Sequence, residues 1–150
     1  MAEYLANAQQ LVPLNAAAVF TASIPCNRGY VYHEDGTGVF TLRGITNNCF
    51  ARYQVTFNGN IAIPEGGTAG VPIAMGITLN GEVRQTSIAT VTPAAVQEYN
   101  NITSTAIITV PRGCCFSVAV RAVTPEVDEA ITPAPTLELR NANLVVTRIA

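Results

Sequence analysis

Hydrophobic and polar residues alternate with a period of two through most of this chain. From Phe50 to Ile63, Ala51, Tyr53, Val55 and Phe57 share one face, while Arg52, Gln54, Thr56 and Asn58 share the other. Val71 to Leu79 repeats the pattern with Ile73, Met75, Ile77 and Leu79 aligned. Asn80-Gly81 follows at once and Glu82 to Val91 stays extended, which predicts a β-hairpin. Ile102 to Val110 and Cys114 to Val123 predict two further strands, the second with Cys114, Phe116, Val118 and Val120 on one face. Leu11 to Ile24, broken early by Pro13, Tyr30 to His33 and Val39 to Arg43 read as strands before them, and Thr136 to Ile149 as the last. Turn signals separate the runs at Pro25–Gly29, Glu34–Gly38, Pro64–Gly67 and Pro111–Gly113. Thr92 to Tyr99 predicts a loop with one helical turn, Thr92 capping it and Pro93 starting it. About nine short strands so punctuated predict an all-β sandwich or jelly roll.

The closing strand carries the next inference. Leu144 and Val146 point one way, Val145 and Ile149 the other. A strand apolar on both faces belongs inside a sheet, with a core on one side and a neighbouring copy on the other. Composition agrees. Charged residues make up 12% of the chain and lysine is absent, against about 25% charge in an average soluble domain. A folded monomer of this size exposes roughly 7,000 Å², which so few charges cover thinly. Thr, Asn, Gln and Ser solvate part of it, and an oligomer interface is expected to bury another part.

The net charge of −2 with dispersed arginines leaves no electrostatic footprint for nucleic acid. No run is long and apolar enough to predict a membrane span. The opening Met1-Ala-Glu-Tyr-Leu-Ala-Asn-Ala has neither the charged nor the hydrophobic region of a secretory signal, so a chain made and assembled in a cytoplasm is expected. The four cysteines, Cys26, Cys49, Cys114 and Cys115, lack C-x-x-C spacing, which argues against zinc. Cys114 reads as a buried apolar thiol. A disulfide between Cys26 and Cys49 stays open, although cytoplasmic origin favours free thiols. The single histidine, in His33-Glu34-Asp35, reads as part of a polar turn, and Glu126, Asp128 and Glu129 as a solvated acidic loop. Pro64-Glu-Gly-Gly-Thr-Ala-Gly70 lacks the ending of a phosphate loop. Without a convergent catalytic set, the expectation is a non-enzymatic protein with no cofactor and no metal.

The alternating Phe50–Asn60 strand, the Val110-Pro-Arg-Gly113 lead into the next strand and the terminal Asn-Leu-Val-Val-Thr-Arg-Ile resemble the trimeric jelly-roll superfamily of tumour necrosis factor (TNF) and the complement-type globular heads. The resemblance runs from about Val19 to Ile149. It implies a TNF-like jelly-roll β-sandwich over residues 15–150, a homotrimer, and a three-fold interface on the inner sheet. Phe20, Tyr53, Phe57, Ile108, Val145 and Ile149 are the interface candidates, although alternation alone does not separate core from subunit axis for Tyr53 and Phe57. The inner sheet is expected to hold the strands around Phe20, Tyr53, Ile108 and Val146, and the outer sheet the Asn80-Gly81 hairpin.

A second resemblance rests on Met1-Ala-Glu-Tyr-Leu-Ala-Asn-Ala, Val39-Phe-Thr-Leu-Arg-Gly-Ile-Thr-Asn and Pro111-Arg-Gly-Cys-Cys. Together these are similar to small proteins of phages and prophages of gut Firmicutes. They imply a virion structural protein, a capsid-decoration, auxiliary or head-fibre component assembled in the host bacterial cytoplasm. Residues 1–14 would lie outside the fold and anchor it to a capsid or other virion protein. The alternative is an adhesion module that binds a host-surface glycan or receptor, with Tyr30, Tyr32 and Tyr99 as the sugar-stacking candidates.

Overall fold

The computed structural model describes residues 2–24, 29–125 and 135–150. Twelve strands are present among them: β1 (Ala2–Ala6), β2 (Gln10–Pro13), β3 (Ala22–Ile24), β4 (Val31–His33), β5 (Phe40–Arg43), β6 (Phe50–Ala62), β7 (Ile73–Leu79), β8 (Glu82–Val83), β9 (Ala89–Val91), β10 (Asn100–Pro111), β11 (Cys115–Val123) and β12 (Thr136–Arg148). They form two antiparallel sheets. The first runs β10-β6-β12-β1-β3, with β2 also on β12; the second runs β4-β5-β11-β7-β8, with β9 also on β7. Apart from the short β8 and β9, which stay in the second sheet beside β7, the chain alternates between sheets from β5 onward, so β6 ends between β10 and β12, and β11 between β5 and β7. That order is a jelly-roll sandwich.

Alternation explains the layering. Ala51, Tyr53, Val55, Phe57 and Ile61 of β6 point inward and are buried, as are Ile102, Ile108 and Val110 of β10. Phe40, Leu42, Met75, Ile77, Val118 and Val120 face them from the second sheet. Phe20 fills the centre without belonging to a strand. It makes one bridge to Thr37, and its ring meets Phe40 at 5.3 Å and Phe57 at 6.5 Å, both edge-on. In β12 a bulge between Arg140 and Asn143, with Asn141 at φ +52°, restores the inward phase: Leu137 and Leu139 point in before it, Ala142, Leu144 and Val146 after it.

Three expectations change. Residues 2–13 do not lie outside the fold. β1 lies between β12 and β3, pairing Ala2 with Val146 through Ala6 with Ala142, and β2 pairs Val12 with Leu137. Ala2, Tyr4, Ala6 and Val12 are core residues. The segment alternates too, but alanine at two inward positions mutes its hydrophobic signal. Second, Thr92–Tyr99 forms no helix. The Glu98 carboxylate instead accepts the N–H groups of Ala94 and Ala95 at 3.0 and 3.1 Å. Third, Glu82–Val91 is not one strand. A 3₁₀ turn at Gln85–Ser87 interrupts it, and Ser87 Oγ accepts the Ile77 N–H at 2.9 Å. The Asn80-Gly81 hairpin is present in the second sheet with both residues at positive φ.

Candidate functional site

The crossovers between sheets bring four chain segments together at one end of the sandwich: the end of β5, the loop 44–49 leading into β6, the turn 112–114 between β10 and β11, and the end of β12. Backbone hydrogen bonds fasten them. Gly44 donates to the Cys114 carbonyl at 2.8 Å, Gly113 to Gly44 at 3.0 Å, Cys114 to Pro111 at 3.0 Å and Arg112 to Cys49 at 2.9 Å. Gly44 is required here, because a Cβ would lie 2.0 Å from the Pro111 carbonyl oxygen. Asn48 N–H is held by Thr46 Oγ1 at 3.1 Å, a local turn that fixes the two asparagines.

Two open clefts flank this knot. One, of about 550 Å³, is lined by Asn47, Asn48, Cys49, Phe50 and Arg112. The other, of about 330 Å³, is lined by Arg43, Gly44, Ile45, Gly113, Cys114 and Cys115. No carboxylate side chain lines either one. The Arg52 guanidinium sits over the Phe50 ring at 4.8 Å, and that of Arg148 over Tyr30 at 4.3 Å while it donates to the Ile45 carbonyl. Four of the seven arginines among the described residues therefore gather at this end, a clustering invisible in sequence because they are 43, 52, 112 and 148.

The sequence candidates fall in different places. Phe20, Tyr53, Phe57 and Ile108 are fully buried between the sheets, so they are core residues and not subunit contacts. Val145 and Ile149 do face outward from the first sheet, Val145 half-buried and Ile149 exposed. Tyr30, half-buried under Arg148, and exposed Tyr32 lie on or beside β4 near the arginine end. Tyr99 precedes β10 at the opposite end, so the three tyrosines form no single platform. Its hydroxyl donates to Glu138 at 2.7 Å and its ring lies under Arg140 at 5.2 Å. Burial, then the hydrogen bond to the Glu138 carboxylate, pushes its pKa above the ordinary value.

Glu138 itself was not singled out by sequence. It is buried on the outward side of β12 and accepts from Tyr99 and from Gln9 Nε2, joining the β1–β2 link to the segment before β10. An acid in strand phase beside Leu137 and Leu139 was the available signal. His33 stacks on Phe40 at 4.2 Å, with Nε2 at 2.9 Å from the Thr37 carbonyl, a packing role. Cys49, Cys114 and Cys115 carry free, exposed thiols. Cys114 is thus not a buried thiol: it sits in the turn before β11, beyond the sheet's cover. Cys26, Glu126, Asp128 and Glu129 lie outside the described residues. Among the described residues no three His, Cys, Asp or Glu side chains group as metal ligands, and no helix is long and apolar enough to cross a membrane.

The outward face of the first sheet is the second notable surface. Across it run threonine and asparagine ladders: Thr56 beside Thr105, and Asn58 accepting from Thr103 and Asn101. Among them stand exposed Leu11, Ile24, Ile107 and Ile149, with Leu5 and Val145 half-buried. It also carries four charged side chains, Glu3, Arg52, Glu138 and Arg140. Glu3 accepts from Asn143 at 3.1 Å, and Arg140 donates to Gln9 at 3.0 Å.

These features define an all-β jelly-roll sandwich with an arginine-rich loop end and a sheet face laddered with threonine and asparagine. No protein-family model and no curated protein matches the chain. Among solved structures it is similar to the C-terminal domain of EclA, described as a sugar-binding protein, at 17% identity and a TM-score of 0.41, covering 96% of this chain and 82% of that one. A likeness at that level assigns no function.

Proposed function

We propose that this chain is a non-enzymatic adhesion module that gathers copies of itself through the outward face of its first sheet and recognises a ligand with its arginine-rich loop end. The observation that carries the assembly half is the sheet face. Five strands at about 4.8 Å and roughly ten residues at about 3.4 Å make an area of roughly 800 Å². That is the share one partner contributes to a standard interface. Its apolar side chains and hydrogen-bonding threonines and asparagines, with a few charges among them, match the composition of a partly wet interface. Several loop ends on one assembly would bind a repeated surface ligand far more strongly than one.

A host-surface glycan or receptor is the ligand class proposed for the loop end, which offers the Arg52 and Arg112 guanidiniums, unpaired among the described residues, two side-chain amides and a ring. A homotrimer is the stoichiometry implied by the TNF-like resemblance. The place of action proposed from the phage resemblance is a virion, with the chain as a decoration or fibre component. Because residues 2–13 belong to the sheet, a capsid contact would use a folded surface and not a loose N-terminal peptide.

Sedimentation equilibrium tests the assembly half. The wild-type chain is expected at a multiple of its 15.8 kDa mass. Val145→Glu combined with Ile24→Glu should return it to one copy with its far-UV spectrum unchanged. A wild-type monomer at tens of micromolar would overturn the assembly reading.

A further inference from the structure

The larger cleft at the loop end has a chemistry specific enough to name a ligand class, and the argument rests on the recognition reading above. Its cationic wall is Arg112, with Arg52 adjoining through the Phe50 ring it covers. Neither guanidinium makes a hydrogen bond or ion pair among the described residues, so both forks are available to a carboxylate. No acidic side chain lines the cleft to repel one. Beside the arginines stand the exposed Asn47 and Asn48. Each amide offers two donors and an acceptor, a set that matches vicinal hydroxyls. Arg52 lies over one face of the Phe50 ring, yet the side chain remains 39% exposed, leaving apolar surface for the C–H face of a pyranose.

The site is also held in shape before binding. Arg112 is tied to Cys49 through its backbone, Asn48 to Thr46, and Gly113 to Gly44. Little loop ordering remains to be done on association, which favours a small ligand. At about 550 Å³ the cleft lies within the range of small-molecule sites. We infer that it binds an acidic saccharide unit, with the arginines on the carboxylate, the asparagines on ring hydroxyls and Phe50 against the ring.

Titration of the ¹⁵N-labelled full chain with an oligomer of glucuronic acid tests this. Its neutral glucose counterpart, inorganic phosphate and a hexaglutamate peptide serve as comparison ligands. The acidic saccharide is expected to move the amide signals of Asn47, Asn48, Phe50 and Arg112, and to bind at least tenfold more tightly than each comparison ligand. Arg112→Gln and Arg52→Gln, both at exposed positions, should each weaken it about tenfold, and added salt should weaken it further. Equal binding of the glucose oligomer would overturn the acidic preference while leaving glycan recognition standing. Equal binding of phosphate or hexaglutamate would overturn the saccharide assignment. Signals that stay still with every ligand would overturn the acidic-saccharide site, leaving the assembly result untouched.

Discussion

Tyr4→Ala is the sharpest test of whether the first residues belong to the fold. Tyr4 is only 3% exposed. Its backbone pairs with Leu144 on one side and Ser23 on the other. Its ring meets Phe40 at 4.6 Å and His33 at 4.9 Å, both edge-on. An aromatic side chain of this kind buries roughly 150–200 Å², which at about 25 cal/mol per Å² is worth roughly 4–5 kcal/mol. Measured aromatic-to-alanine changes in cores cost about 3–5 kcal/mol, so about 4 kcal/mol is the expected loss. For a domain of this length that lowers Tm by roughly 8–16 °C. Urea unfolding followed by circular dichroism reads it, at one fixed protein concentration because assembly couples to stability. Asn7→Ala, in the same terminal segment but exposed in the link between β1 and β2 and away from the outward sheet face, is the control and should change stability by less than about 0.5 kcal/mol. An external anchor would make the two variants alike. If Tyr4→Ala also falls within about 0.5 kcal/mol of wild type, β1 is not part of the core sheet and the argument fails.

Two further outcomes follow from single contacts. Gly44→Ala puts a Cβ against the Pro111 carbonyl oxygen, so it should cost about 1–3 kcal/mol and speed hydrogen exchange at Gly44 and Gly113 before any other backbone amides; unchanged protection there would contradict the pinned loop end. Burial and the Glu138 carboxylate raise the Tyr99 pKa, so between 10.0 and the folded value the native state keeps a proton that the unfolded chain has lost. Stability should therefore fall as pH rises through that window, and Tyr99→Phe should flatten the fall; an identical alkaline profile in the variant would show that Tyr99 is not the titrating group behind it.

Long strands were legible because their patterns are long. Phe50–Ala62, Ile73–Leu79 and Asn100–Pro111 differ from the sequence reading by at most a couple of residues at each end, since seven or more alternating positions leave little room for another phase. β1 was missed because Ala2 and Ala6 carry too little hydrophobicity to mark an inward face. The arginine end was missed for a different reason. Its members come from the ends of β5 and β12, the start of β6 and a turn, and only the crossovers of the jelly roll put them together. Glu138 looked like ordinary strand polarity; its burial depends on Gln9 and Tyr99, far away in sequence.

The interface candidates show where periodicity stops being informative. A period of two says that Tyr53 and Phe57 share a face and that Gln54 and Thr56 share the other, and nothing in the pattern says which face meets a neighbour. Volume does. In a two-layer sandwich the sheets lie about 10 Å apart, and that gap must be filled at near-crystalline density. Tyr53, Phe57, Phe20, Phe40 and Tyr4 are the large aromatic side chains that fill it, so they are drawn inward, which leaves Thr56, Thr105, Asn58 and Val145 to the outside. A face of small, β-branched and amide side chains can pack flat against a second protein and still be tolerable in water before the partner arrives. Any interface on the outward face of the first sheet must therefore combine apolar contact at Leu11, Ile24, Ile107 and Ile149 with satisfied hydrogen bonds along the threonine and asparagine ladders and with partners or solvent for Glu3, Arg52 and Arg140.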